Sequence, residues 1–258
     1  MSGLGLISTY TSDSEDDEVT KDNSSKSNDV SKRLPLPESI ATWKGVPHHE
    51  KVNDDPSQHD GRVRGFVHER GNWTTLAYID YEPSEDMLMW MLSVSKEVPF
   101  KCNVLSEQFH ISVTRTLILK YHWIDSFVEE IKKLCKKTQE FSLELMNMRA
   151  YSNEEATRTF LGIECVDYKG TLVHFVKKLN IFLAEYQLPP FYEDCSYHIS
   201  FLWCLRDETA NLNNLSTSLT TKLHQFLAEH SEDRYIRVNK VHLKIGNKLY
   251  VFKLRECN

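Results

Sequence analysis

Past about residue 60 the apolar positions recur at two spacings, one suited to strands and one to helices. Trp73 to Ile79 is rich in aromatic and β-branched residues and reads as a strand. Glu85 to Lys96 follows the breaker Pro83, with Ser84 placed to cap it, and predicts a helix. Phe109 to Leu119 alternates as one strand. Trp123, Phe127, Ile131 and Leu134 mark a single helix face. Phe141 to Met148 and Thr159 to Val166 are strand-like, and Leu172, Phe175, Val176, Leu179, Phe182 and Tyr186 mark a second helix. Pro189 and Pro190 stop it, and Tyr197 to Trp203 is again a strand. Leu215, Leu219, Leu223, Phe226 and Leu227 mark the last helix. Tyr235 to Ile245 and Lys248 to Leu254 close the chain as a hairpin around Gly246 and Asn247. Strands and helices in this order fit an α+β or split βαβ architecture better than an all-β one.

The first 60 residues carry no such pattern. Asp13, Glu15, Asp16, Asp17 and Glu18 cluster around Ser12 and Ser14, and Leu34-Pro35-Leu36-Pro37 is turn-rich. Too few apolar groups are present to offset the entropy of ordering, so residues 1–60 read as a solvated tail and 61–258 as the folded domain. Ser12 and Ser14 would suit an acid-directed kinase.

Composition narrows the partners. The 258 residues carry a formal net charge of −6, which argues against a whole-surface clamp on nucleic acid but not against a local basic cleft. The six cysteines show no paired spacing and read as free thiols in a reducing compartment. The start lacks the basic flank of a signal peptide, and no apolar run approaches the roughly 18 residues of a membrane span. A soluble intracellular protein is expected.

One chemical pattern occurs twice. Phe109-His110-Ile111-Ser112 and Tyr197-His198-Ile199-Ser200 are both aromatic-His-Ile-Ser within strand alternation. Each strand therefore turns its histidine and serine to one face and its apolar residues to the other. The repeat suggests two lobes around a cleft. Cleaving a phosphodiester without a metal needs a base for the attacking oxygen and an acid for the leaving oxygen. Two imidazoles supply both near neutral pH, and hydroxyls two residues on can donate to the non-bridging oxygens. His122, His174, His224 and His230 lack a serine two residues on and read as structural or surface groups, while His48, His49 and His59 fall in the tail. No tight metal-ligand spacing recurs, so no cofactor is expected.

The paired strands resemble the 2H phosphoesterase superfamily. Residues 61–73, Tyr121-His122-Trp123-Ile124, Thr157 to Gly162 and Gly246-Asn247-Lys248 narrow the resemblance to its U6 snRNA phosphodiesterase family. The resemblance implies a bilobal fold, with antiparallel sheets facing a central cleft and helices outside. It implies a nuclear 3′-to-5′ exoribonuclease that trims the oligouridine end of U6 snRNA. The penultimate 2′-hydroxyl attacks, and a 2′,3′-cyclic phosphate remains, which some members open to a 3′-phosphate.

On this chain the resemblance assigns His110 as proton acceptor and His198 as donor, a polarity that the two like contexts leave open. Ser112 and Ser200 become phosphate donors. Tyr192 would stack on the terminal base, and Ile111, Glu154, Asp194, Cys195, Ser196, Tyr197 and Ile199 would line the nucleotide pocket. Glu154 stands where the family often has glutamine, and an ionised carboxylate accepts hydrogen bonds without donating. Arg62, Arg64 and Arg70 could meet RNA phosphates. Lys132, Lys133, Lys136 and Lys137 form a basic helix stripe, a pattern that is more often merely a solvated face. RNA is the expected partner and a monomer the expected state. Another 2H activity (a cyclic phosphodiesterase or an RNA-ligase-like member) or a non-catalytic RNA-binding module remains the alternative.

Overall fold

The computed structural model describes residues 69–105, 108–193 and 196–256. The expectations for the tail, for Arg62 and Arg64, and for Asp194 and Cys195 lie outside these residues.

Strand β1 (Asn72–Asp80) leads to helix α1 (Glu85–Ser95). Ser84 caps that helix as its position suggests, its Oγ accepting from the Met87 amide at 3.0 Å. It also donates to Asp233 at 2.7 Å, tying the helix start to a distant part of the chain. Then come β2 (Asn103–Val104), β3 (His110–Ser112), β4 (Leu117–Lys120) and α2 (Ile124–Lys137). The long hairpin β5 (Phe141–Ser152) and β6 (Arg158–Val166) is followed by α3 (Thr171–Glu185), β7 (His198–Leu205) and α4 (Thr209–Glu229). Strands β8 (Tyr235–Val238), β9 (Lys240–Ile245) and β10 (Lys248–Lys253) end the chain.

The main path through the sheet runs β10-β9-β1-β3-β7-β6-β5-β8, with β4 on β1 and β2 on β7. Four strands lie on each side of the β3–β7 seam, so the duplicated motif sits at the join of two like halves. The seam itself is narrow: among the described residues, Ile111 opposite Ile199 is its one ladder pair. Both isoleucines are fully buried.

The sheet cannot be flat. β8 and β9 stand near opposite ends of the path, yet only Asn239 separates them in sequence. The sheet must curl to bring its two flanks together. Backbone bonds complete the approach: Arg255 donates to the Thr138 carbonyl at 2.8 Å and accepts from the Glu140 amide at 2.9 Å.

Two expected strands are each broken in two. Within Phe109 to Leu119, the amides of Val113 and Thr114 both donate to the Ala77 carbonyl, and Thr114 Oγ1 accepts from the Ala77 amide at 3.0 Å. That local knot bends the chain between β3 and β4. Tyr235 to Ile245 divides at Asn239 because its parts have different partners. β8 pairs with β5, whereas β9 pairs with β1 and β10. The closing hairpin is therefore β9–β10 alone. Its Gly246 has φ +55, and a Cβ there would lie 2.6 Å from the Trp73 ring.

Helices cover the apolar side. Met87, Met91 and Val94 of α1, Phe127 and Ile131 of α2, Leu179 and Leu183 of α3, and Leu219 and Leu223 of α4 are buried in one core. Phe127 and Phe182 join α2 to α3, their ring centroids 5.0 Å apart. α4 also shields the part of β5 that β8 does not reach. Thr220 Oγ1 accepts from the Met148 amide at 2.9 Å, and Asn213 Oδ1 from the Ala150 amide at 3.4 Å.

Candidate active site

The antiparallel register of Ile111 on Ile199 fixes the layout of both motifs. One step either way, His110 faces Ser200 and Ser112 faces His198. Each histidine thus lies across from the serine of the other copy. The imidazole-bearing positions are diagonal neighbours, about 7–8 Å apart at the backbone. Ile111 and Ile199 point into the core, so all four polar side chains share the opposite face.

Both imidazoles are oriented by the same local device. His110 Nδ1 lies 2.9 Å from the Gln108 carbonyl, and His198 Nδ1 lies 2.7 Å from the Ser196 carbonyl. A carbonyl only accepts, so Nδ1 carries a proton in each ring, and Nε2 is the nitrogen left for a substrate. Gln108 takes a left-handed backbone (φ 60) to turn its carbonyl to this place.

Beyond this likeness the two environments differ. Tyr151 lies flat on His198, with ring centroids 3.5 Å apart and planes 11° from parallel. Tyr151 then links by its hydroxyl to Ser196 Oγ at 2.9 Å, and Ser196 donates toward Glu164 at 3.5 Å. Glu164 also accepts from Asn147 at 2.9 Å and from Arg149 at 3.1 Å. Glu164 is the cross-strand neighbour of His198 on β6. His110 is freer: its cross-strand neighbour is the exposed Asp80, and Tyr78 meets it edge-on at 5.3 Å.

Burial is the main cause that holds the His198 pKa below the ordinary histidine value. The Ser196 carbonyl opposes this; His110 and Arg149 reinforce it, and Glu164 opposes it. Burial likewise pushes the Tyr151 phenol up to about 12, so it stays a neutral donor.

Gly162 makes the room that His198 occupies. A Cβ at that position would stand 2.8 Å from the Ile199 carbonyl oxygen and 3.3 Å from His198 Cδ2. The β6–β7 register shifts next to it, between Leu161 and Gly162, as bulges do where strands bend.

The expected nucleotide-binding residues fall into two groups. Tyr192, Glu154 and Arg115 form a cluster: Arg115 pairs with Glu154 and lies over the Tyr192 ring, 4.1 Å from its centroid. Burial, and then the Glu154 charge, raise the Tyr192 pKa. Glu154 belongs to the β5–β6 hairpin tip, so this tip reaches across the seam to Arg115 just after β3. Ile111, Ile199 and Tyr197 instead turn their side chains into the core, where Tyr197 stacks on Phe191 at 5.8 Å. Only their backbone is left for a nucleotide. Ser196 serves the Tyr151–Glu164 chain.

Tyr78, Arg115, Arg149, Tyr151, Glu164 and His242 join the site without having stood out in the sequence. Glu164 and Tyr78 had a usable signal: each falls on the polar side of a strand's alternation. Their neighbours were fixed only by register. Arg70 is exposed. Lys132 and Lys133 pair with Glu129 and Glu130 on α2, which makes that stripe a solvated face.

Comparison with known proteins bears on the family and the fold. The family model HVSL, described as an uncharacterised conserved protein, matches residues 34–253. The U6 snRNA phosphodiesterase 1 of Danio rerio is 34% identical over 257 residues, covering 96% of this chain and 91% of the relative. That of Drosophila melanogaster is 32% identical, covering 94% of this chain and 95% of the relative. The structure of Kluyveromyces marxianus Usb1 superposes with a TM-score of 0.54 at 14% identity, over 70% of this chain and 98% of that one. The shared fold is the α+β 2H phosphoesterase fold.

Proposed function

The chain belongs to the U6 snRNA phosphodiesterase family, and on that footing we propose that it trims the 3′ end of U6 snRNA as a 3′-to-5′ exoribonuclease. The observation that carries the reading is the seam. Two imidazoles, each held at Nδ1 by a backbone carbonyl so that Nε2 is left to take or give a proton, stand on one face across the Ile111–Ile199 pair.

In this reading the terminal phosphodiester lies between them. His110 Nε2 accepts the proton of the penultimate 2′-hydroxyl, whose oxygen forms a bond to phosphorus. The bond from phosphorus to the 5′-oxygen of the terminal nucleoside breaks, and His198, protonated at Nε2, gives that oxygen its proton. Ser112 and Ser200 donate to the non-bridging oxygens, where charge builds up in the transition state. A nucleoside leaves and a 2′,3′-cyclic phosphate stays on the RNA. Reopening of the ring by water to a 3′-phosphate would use the same pair with roles reversed.

The Tyr192–Arg115–Glu154 cluster supports terminal cleavage. Tyr192 is 42% exposed and offers a stacking surface, which favours bases without strict sequence readout. Arg115 and Glu154 bridge the halves beside it, so a chain end fits there better than a continuing strand. One chain carries both halves of the site, so a monomer suffices. The substrate places the reaction in the nucleus.

Mass spectrometry of both products tests this directly. A short 3′-oligouridylated RNA incubated in chelator should release uridine and leave shortened RNA ending in a cyclic phosphate or a 3′-phosphate. A 2′-deoxy penultimate residue should block release. Trimming that continued past that block would overturn the cyclising route.

A further inference from the structure

β9 and β10 turn an exposed strip to the same side of the sheet as the histidines and serines. The registers lay it out in rows. Val251 pairs with His242, His242 with Tyr78, and Tyr78 with Ser112. On one side of this row Lys253 pairs with Lys240, and Asp80 pairs with His110. On the other, Leu249 pairs with Lys244, and Lys244 with Leu76. Lys240, Lys244 and Lys253 are exposed, and Leu249 and Val251 remain 56% and 48% exposed on an edge strand.

The middle row is a floor of apolar and aromatic groups that runs to the seam. The Tyr78 ring lies 5.3 Å from His110 on one side and 5.3 Å from His242 on the other. His242 Nδ1 is buried and has no hydrogen-bond partner. Ammonium groups flank the floor on both sides. Asp80 and Glu82 act on His242 from nearby, and Asp80 ends one lysine row beside His110.

We propose that this strip is the track for the RNA segment 5′ of the scissile phosphate, with bases on the Tyr78–His242–Val251 floor and phosphates against Lys240, Lys244 and Lys253. The inference rests on the proposed exoribonuclease reading and extends it to the body of the substrate. Flanking cations fit a polyanion, and exposed aromatic and apolar groups fit unpaired bases. The floor ends at Ser112 and His110, where the attacking ribose would sit. The terminal nucleoside is accounted for at Tyr192, so the rest of the strand must leave by the other half.

The test compares a uridine dinucleotide with an oligouridylate of about ten nucleotides, long enough to cover the strip. The variant is Lys240→Ala/Lys244→Ala. For the longer RNA its KM should rise about tenfold, and the salt dependence of log kcat/KM should flatten by about 0.7 per lysine. Dinucleotide kinetics should not change. An unchanged KM and salt slope for the longer RNA would overturn the track, even if the strip bound a protein. So would an equal loss on both substrates. Anisotropy of labelled decauridylate on His198→Ala, with and without the lysine changes, measures the track without turnover. If wild type shortened neither RNA, the exoribonuclease reading would fail while this binding comparison still decided the track.

Discussion

Tyr151 covers one whole face of the His198 ring, at 3.5 Å between centroids. The contact shuts water out and is part of the burial that depresses the His198 pKa. Tyr151→Ala should therefore raise the His198 titration midpoint toward 6.5. NMR of the imidazole Cε1 proton reads this directly. If His198 is the acid, the alkaline limb of the kcat/KM profile should move up with it. An unmoved midpoint would show that other groups dominate the burial.

The same shift has a consequence for stability. The unfolded chain binds a proton at His198 at higher pH than the folded chain does. Its contribution is thus fully present above about pH 6.5 and is lost as pH falls through the folded value. Chemical denaturation at pH 7.5 and pH 5 should show wild type losing more stability on acidification than His198→Gln.

His110→Ala and His198→Ala should each lower kcat by roughly 10²–10⁴-fold, the range of a lost acid or base. Circular dichroism should remain unchanged, because both rings lie on the polar face of the sheet. Full turnover in either variant would remove that residue from the reaction.

Gly162→Ala places a methyl 2.8 Å from a backbone oxygen of β7, which cannot swing aside as a side-chain tip can. The strand must shift, carrying His198 with it. Displacement of that kind costs on the order of 10²-fold in rate, and overpacking costs about 1–3 kcal/mol. Stopped assays and thermal melts should show kcat falling with KM nearly unchanged. A variant with wild-type kcat would mean that the seam tolerates the shift.

Tyr192→Ala should raise KM for a terminal uridine about 5- to 150-fold, as expected for loss of roughly 1–3 kcal/mol of stacking. Glu154→Gln should barely move Tm. The pair with Arg115 is half exposed (30% and 53%), and such pairs contribute about 0–1 kcal/mol. A large loss of Tm in Glu154→Gln would show that the hairpin tip holds the halves together mechanically.

The shared face of the two motifs was more legible than the topology. His110, Ser112, His198 and Ser200 stood out because alternation within a strand sets which side chains share a face, and that rule is local. The helices followed from their apolar spacing, and Ser84 marked the start of one correctly. What failed was anything decided by a partner strand. Nothing in Tyr235 to Ile245 reveals that its first half pairs with β5 and its second with β1. Nor does the alternation of Phe109 to Leu119 reveal that Ala77 will gather its middle amides. His242 was passed over for the same reason: it becomes part of the site only through its register opposite Tyr78.

The single residue between β8 and β9 has a genetic corollary. The two halves look like duplicates, yet the half that holds β1 and β3 is not a contiguous stretch of chain, since β9 and β10 complete it after β8. A premature stop just after α4 would delete β8 from one half and β9 with β10 from the other. Every histidine and serine of the seam would still be encoded. Such a late lesion should behave as a folding null, and splitting the gene at its apparent midpoint should not yield two independent proteins.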